Sequence, residues 1–292
     1  MINRRDFLQL SGMGLAVTAV PDFLKMPADK HMFHLSVQLY TIREEIKKDI
    51  KGSLKRLADI GFKNVETAFW PESITPRDAA NYLNEFGFKV SSCHIEIPTN
   101  DNKQNMLDTA KIFNCKEMIW HGWPEDKRYS SLDGTRELIK IYNESNKLAK
   151  DNGLRFGLHN HWWEYRNHVE GSLVYEILNE ELDKDIFFET DVYWVKVAGQ
   201  DPANIIQKLR ERIRFLHIKD GPAVWNDKLP LDIPDPMTPV GQGTQNIPAI
   251  VNACSDHVEW MVVEMDKTAI DVFDALQQSF DYMSRFKSVS VT

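Results

Sequence analysis

The chain has 292 residues, 42% hydrophobic and 27% charged, which is ordinary for a globular protein and long enough for one large core. Its net charge of -8 argues against nucleic acid as a partner, because phosphate binding needs a basic surface. Cys93, Cys115 and Cys254 are too few and too scattered for a disulfide framework or a zinc knuckle, and they read as buried free thiols.

At the amino terminus, Arg4-Arg5-Asp6-Phe7-Leu8 precedes a weakly apolar run from Leu10 to Val20. Paired arginines, then Phe-Leu, then a modest segment rich in Gly and Ala predict a twin-arginine export signal. Residues 1–30 are therefore set apart as a leader, and 31–292 as the folded domain. The expected partner of the leader is the twin-arginine translocase, and the expected destination is the periplasm. The run is too short to span a bilayer, so no stable membrane anchor is expected. The route carries folded proteins, which suits an enzyme that loads its metal before export.

From His34 onward, strand-like runs alternate with helical ones. Strands are expected over 34–40, 63–68, 88–94, 116–121, 155–161, 186–191, 213–218 and 260–264. Helices are expected over 44–60, 76–86, 103–113, 132–152, 172–179, 202–211, 248–254 and 270–286. Gly61, Gly87 and Gly153 follow three of these helices as C-terminal caps. Strict alternation implies a parallel sheet, since each return needs a crossover helix. Eight such units in this length predict an α/β fold, a single (β/α)8 TIM barrel. No glycine-rich phosphate loop follows the first strand, which weakens a dinucleotide-binding alternative. One long irregular segment, 220–246, is stiffened by Pro222, Pro230, Pro234, Pro236 and Pro239 and then holds Gly241 and Gly243. A loop of that length after the seventh strand points to function.

In a parallel barrel the active site lies at the carboxyl ends of the strands. Those ends carry Glu66, His94 with Glu96, His121, His159-Asn160-His161 with Glu164, Glu189-Thr190-Asp191, His217 with Lys219 and Asp220, and Glu264 with Asp266. Residues two apart on a strand share a face, so His159 pairs with His161 and Glu189 with Asp191. A carboxylate facing the helix layer would be buried without water at a cost of several kcal/mol unless paired, so these groups are expected to point inward, where a cation neutralises them. Mixed imidazole and carboxylate ligands suit Mn, Zn, Co or Fe as the divalent metal ion and do not select among them.

These residues sit in motifs that resemble the xylose-isomerase-like barrel superfamily, often called sugar phosphate isomerase/epimerase, which includes ketose 3-epimerases, inosose dehydratases and endonuclease IV type nucleases. The motifs are Val37-Gln38-Leu39-Tyr40-Thr41-Ile42-Arg43, Val65-Glu66, Leu158-His159-Asn160-His161 with Glu164, and Glu189-Thr190-Asp191-Val192-Tyr193-Trp194. Further along come Ala198-Gly199-Gln200-Asp201-Pro202, His217-Ile218-Lys219-Asp220, Val240-Gly241-Gln242-Gly243 and Val263-Glu264-Met265-Asp266. The resemblance implies a metal held by His159, Asp191, His217 and Glu264. His159 stands where the family commonly has Glu, so either His159 ligates in its place or Glu164 reaches back to do so. It also implies Glu264, Glu164 and His161 as acids or bases, and Glu66, His94, Trp194 and Lys219 as substrate contacts.

A metal on a carbonyl and its neighbouring hydroxyl acidifies the adjacent C–H and steadies an enediolate. Proton return then gives epimerisation or isomerisation, and loss of a β-substituent gives elimination. The expected function is metal-dependent isomerisation or epimerisation of a free, oxidised or glycosidic sugar, with no nucleic-acid partner and with room for a homo-oligomer. Two alternatives stand beside it. One is a lyase, dehydratase or hydrolase acting on a keto-sugar or keto-glycoside. The other is a non-catalytic carbohydrate-binding barrel, for which Trp70, Trp120, Trp123, Trp162, Trp163, Trp194 and Trp225 offer stacking surfaces, although most of them are read as core or rim packing. Changing Arg4 and Arg5 together to Lys is expected to keep the protein in the cytoplasm. Normal delivery of that variant in cell fractionation would refute the export reading.

Overall fold

A computed structural model of the chain describes residues 33–99, 101–226 and 235–286. The leader lies outside these residues, as does part of the proline-rich loop, 227–234. Among the described residues no helix is long and apolar enough to cross a membrane.

The strands, in chain order, are β1 (His34–Gln38), β2 (Asn64–Thr67), β3 (Lys89–Ile95), β4 (Glu117–Trp120), β5 (Arg155–His159), β6 (His168–Val169), β7 (Ser172–Leu173), β8 (Phe187–Asp191), β9 (Ile213–Ile218) and β10 (Trp260–Val263). Eight of them close a parallel barrel in the order β1-β10-β9-β8-β5-β4-β3-β2, with β1 pairing both β2 and β10. This is the expected single TIM barrel. The hairpin β6–β7 is antiparallel and stands apart from it. The helices are α1 (Arg43–Lys48), α2 (Ile50–Ile60), α3 (Pro76–Glu85), α4 (Lys103–Phe113), α5 (Leu132–Asp151), α6 (Trp163–Arg166), α7 (Val174–Glu181), α8 (Val192–Val197), α9 (Pro202–Leu209), α10 (Ile247–Ala253) and α11 (Val272–Met283).

Three local departures from the sequence reading have physical causes. The expected helix over 44–60 is broken at Asp49, whose extended backbone and side chain cap α2 by accepting from the Gly52 N–H at 3.0 Å. The first strand stops at Gln38, because the Gln38 side chain accepts from the Tyr40 N–H at 3.1 Å and starts a short 3-10 turn. The fifth strand stops at His159, because Trp162 and Trp163 are buried and turn the chain straight into α6.

The barrel interior is layered. Two residues before Glu189, His217 and Glu264 on the same strand faces, Phe187, Phe215 and Val262 are buried together with Ile119, and Trp260 packs against them. Gly157 makes this layer possible, since a Cβ there would lie 2.3 Å from the Phe187 ring. Toward the carboxyl ends, the interior changes from apolar to ionisable. The loop after β9 is anchored by Asp220, which is fully buried and accepts from the N–H groups of Gly221, Gly241, Gly243 and Gln245 at 2.8, 2.9, 3.0 and 3.0 Å. Gly243 is required by this approach, since a Cβ would stand 2.1 Å from Asp220 Oδ1.

Gly157→Ala is expected to cost about 1–3 kcal/mol of stability by overpacking the floor. Urea denaturation measures it, and adding Phe187→Leu is expected to recover part of the loss. An unchanged midpoint in the single variant would show that the floor has room the packing denies.

Candidate active site

The strand pleat brings the carboxyl-end residues into one buried cluster. His217, on β9, is fully buried and central. Its Nε2 lies 2.6 Å from Glu66 Oε1 and 3.2 Å from Glu189 Oε1, and its Nδ1 lies 2.5 Å from Glu264 Oε2 and 4.0 Å from Asp191 Oδ2. Burial opposes a charge on this ring, but Glu189, Glu264 and Glu66 outweigh it and hold the imidazole well above its ordinary range. His159 places Nδ1 3.2 Å from Glu189 Oε2 and Nε2 3.9 Å from Asp191 Oδ2. Burial pushes His159 down to about 3, so it is a neutral ring and suited to ligation.

Below these residues lies an inner polar layer. Glu66 is fully buried. It accepts from Gln38 Nε2 at 2.6 Å and also from the Ser92 hydroxyl. His94 Nε2 is 3.2 Å from Glu66 Oε1 and 2.7 Å from Glu189 Oε2. Glu189 thus faces His94, His159 and His217 at once. Carboxylates in such positions fix the orientation and tautomer of ligating imidazoles.

Asp191 Oδ2, His217 Nδ1 and Glu264 Oε2 lie within 4.8 Å of one another. Each atom is buried, and its close polar neighbours are the other members of the cluster and the Lys219 ammonium. Two carboxylates and an imidazole converging from three strand ends, with few other partners, fit a divalent metal. Asp191 Oδ1 is engaged separately, accepting from the Tyr193 and Trp194 N–H groups at 2.9 and 3.1 Å as the cap of α8, so Oδ2 is held in place. A second convergence joins His94, His159, Glu189 and His217.

Lys219 is buried among carboxylates, with Nζ 3.0 Å from Asp191 Oδ2, 2.9 Å from Glu264 Oε2 and 3.0 Å from Asp266 Oδ2. Burial works against its charge, yet Asp191, Asp266 and Glu264 hold the ammonium well above its ordinary range. Asp266 gives Lys219 a carboxylate partner that does not depend on the other two.

Above the cluster opens a cavity of 190 Å³ whose walls include His94, His121, His159, His161, Trp194, Lys219 and Glu264. Burial holds His161 well below its ordinary range, so its ring is neutral there. The expected substrate contacts are therefore divided. His94, Trp194 and Lys219 line the cavity, whereas Glu66 is sealed beneath it and orients His217.

Glu164, expected as an acid or base or as an alternative ligand, does not line this cavity. It opens α6 and is buried, with Oε2 accepting from the His161 N–H at 3.0 Å, and it lines a separate internal pocket with Tyr129, Leu158 and Tyr165. The turn after His159 folds the chain inward, so the side chain points behind His161. Of the two arrangements left open for the fifth strand, His159 stands beside Asp191 and Glu164 does not. Gln38 and Ser92 were not among the candidates read from sequence. Glu189 and Asp266 were named as strand-end groups but given no role, although the face Glu189 shares with Asp191 already pointed it inward.

A sequence profile of the xylose isomerase-like TIM barrel matches residues 54–286. The chain belongs to that family. No curated protein matches it. Among solved structures, it resembles a sugar phosphate isomerase/epimerase from Parabacteroides distasonis with a TM-score of 0.70, at 22% identity over 90% of this chain and 98% of that one. It also resembles an L-ribulose 3-epimerase, with a TM-score of 0.62, at 13% identity over 87% of this chain and 94% of that one. A probable 3-DHS dehydratase of petrobactin synthesis from Bacillus anthracis gives a TM-score of 0.63, at 14% identity over 86% and 99% of the two chains. At these identities the likenesses bear on the fold.

Burial pushes the Glu164 carboxyl up to about 8, against the opposing pull of the backbone N–H groups it accepts from. Between its unfolded pKa of about 4.3 and about 8, the folded chain therefore binds a proton that the unfolded chain lacks, and stability falls as pH rises through that window. Glu164→Gln keeps an acceptor for the His161 N–H and removes the titration. Thermal melts of this variant are expected to lose less stability between pH 5 and pH 8 than those of the parent. Parallel curves for the two proteins would refute the assignment.

Proposed function

We propose that this chain is a divalent-metal-dependent isomerase or epimerase of a free, oxidised or glycosidic sugar, working through an enediolate. The observation that carries the reading is the buried convergence of Asp191, His217 and Glu264, one ligand atom of each within 4.8 Å of the others, at the inner end of a cavity. His159 completes the set as fourth ligand. Manganese, zinc, cobalt and iron(II) all accept such a set, and any of them supplies Lewis-acid polarisation of a carbonyl and its neighbouring hydroxyl.

The chain's own groups move the proton. Glu264 lines the cavity from β10 and takes a proton from the carbon acid. Lys219, kept charged in the cavity wall, offsets the negative charge that develops on a substrate oxygen. His161 stands on the β5 side with Nδ1 unpartnered and its ring stacked on Trp163 at 4.5 Å, which fixes its plane for accepting or returning the proton. Glu164 holds the backbone that carries it.

Phosphorylated sugars do not suit this cavity. Its two cationic walls are both engaged: Lys219 by three carboxylates, and Arg43 by the carbonyl oxygens of Tyr40 at 2.8 Å and Asp266 at 2.9 Å. Glu264 and Asp266 add negative charge to the same walls. The substrate class is therefore a sugar without phosphate.

A second reading is favoured by one observation. Opposite Glu264 the cavity offers imidazoles in place of a second carboxylate. His121 Nδ1 accepts from the Trp123 N–H at 3.2 Å, so Nε2 carries the proton of the neutral ring. Proton removal by Glu264, with the same proton handed on to the departing oxygen while the neutral His121 ring hydrogen-bonds to it, gives elimination from a keto-sugar or keto-glycoside.

Metal-loaded protein incubated with keto-sugars in D₂O separates the two. Deuterium at a carbon acid without fragmentation supports isomerisation or epimerisation, and loss of a substituent supports elimination. Asp191→Ala and Glu264→Ala are each expected to lose the bound ion, and Glu264→Gln to slow exchange by roughly 10²–10⁴-fold. A variant that keeps a full equivalent of metal by elemental analysis leaves the ligand list. No exchange across the panel refutes catalysis.

A further inference from the structure

We propose that the mouth of this cavity carries a second sugar subsite, built on Phe69, Trp123 and Tyr40, so that the chain takes its sugar as part of a neutral glycoside of at least two rings. The inference rests on the preceding reading for the inner ring and adds the identity of what lies outside it.

Exposed aromatic rings are the starting observation. Among the described residues, five large hydrophobic side chains are exposed: Tyr40 at 36%, Phe69 at 56%, Trp123 at 37%, Val224 and Ile270. All three aromatics of that set line the one cavity that opens above the ligand cluster. They come from three separate segments, following β1, β2 and β4, so local sequence bias does not explain their meeting. Keeping apolar rings in water is unfavourable, and a cluster of them at a cavity mouth marks a binding surface.

The rings are also held in place. Phe69 stands edge-on to His121 with centroids 5.0 Å apart. Trp123 packs against Trp163 at 5.7 Å and His161 at 5.5 Å, and His161 in turn meets His159 at 5.1 Å. A wall of rings therefore runs from solvent to the ligand cluster. Such a pre-set platform binds with little ordering cost.

Size assigns the second ring to the mouth. The enclosed space is 190 Å³, below the roughly 300–1,000 Å³ of typical ligand pockets, so a ligand longer than one ring extends over the rim. Chemistry assigns it to a sugar. Sugar rings present C–H faces that stack on aromatics and hydroxyl edges that need polar partners. The rim supplies both, because Phe69 and Trp123 offer exposed rings, Arg43 backs one face of the Tyr40 ring at 3.9 Å, and the exposed Glu96 carboxylate, with Oε1 3.2 Å from His121 Nε2, can accept from hydroxyls. The opposite side of the mouth offers no such platform, since Trp162, Trp163 and Trp194 are buried.

The test is binding, followed by isothermal calorimetry and tryptophan fluorescence on the full metal-loaded chain, with glucose, cellobiose, maltose and phenyl β-glucoside as probes. Turnover is not needed, so a failed deuterium experiment leaves this measurement standing. At least one disaccharide is expected to bind roughly fivefold or more tightly than glucose. Trp123→Ala and Phe69→Ala are each expected to erase that preference, while Ile270→Ala, exposed but away from the cavity, keeps it. Equal affinity for glucose and both disaccharides overturns the proposal, as does no measurable binding of either disaccharide. So does a preference that survives both rim variants. Tight binding of phenyl β-glucoside without the disaccharides assigns the rim to a flat aromatic group and overturns the sugar subsite. A changed sedimentation coefficient in the rim variants, with the preference intact, makes the rim a contact between copies of the chain and overturns it too.

Discussion

The constraint on which the rest depends is charge inside the barrel. Glu66, Glu189, Asp191, Glu264 and Asp266 are gathered at the carboxyl ends of the strands, all buried except the half-buried Asp266. Against them stand Lys219 and, when protonated, His94 and His217. The cations cannot balance the acids. The shortfall appears as displaced proton equilibria: burial holds Asp191 up at about 6, and burial with repulsion from Glu189 holds Glu66 above its ordinary range. A divalent cation would supply the missing charge and release those protons. The apolar layer beneath them, from Ile119 to Val262, is what lets the fold carry this load.

Several of these groups are fixed by residues that take no part in the proposed proton chemistry. Asp191 is held by the first turn of α8, Glu66 by Gln38 and Ser92, and His159 and His217 by Glu189. The supports lie on neighbouring strands or on the helix that follows directly, so the ligand atoms have little freedom. Asp220 does the same for the loop after β9, where one carboxylate gathers four backbone N–H groups.

Much of this was legible in the sequence, for geometric reasons. A parallel barrel brings all strand ends to one face, so a polar residue that closes an apolar run is placed by topology alone. The two-residue period of a strand then assigns it inward. That reasoning reaches the whole set of strand-end groups and stops where the strands stop; the choice of His159, Asp191, His217 and Glu264 among them came from the family resemblance. Glu164 was expected to act on substrate because nothing in the sequence shows that Trp162 and Trp163 bury themselves and turn the chain behind His161. Glu66 was assigned to the substrate because depth along the barrel axis depends on register, and the shift between Val65 and Glu66 against β3 is invisible without the partner strand. The break at Asp49 was missed because an apolar helical period runs through it, whereas a single capping side chain decides the outcome.

The two halves of the mouth now have different physical characters. On the β5 and β8 side the tryptophans are buried, and Trp162 meets Trp225 from the loop after β9 at 4.8 Å, so that wall is packed shut. On the β1, β2 and β4 side the aromatic rings stand in water. The ligand cluster lies between them and takes its supports from the barrel strands and from the first turn of α8, none of them from the open wall. A fold arranged this way keeps its proton chemistry when the outer rings are exchanged, because no hydrogen bond of the inner layer passes through Tyr40, Phe69 or Trp123 side chains. On the proposed reading, the open wall selects what the chain acts upon, and the charge shortfall at the centre sets how it acts.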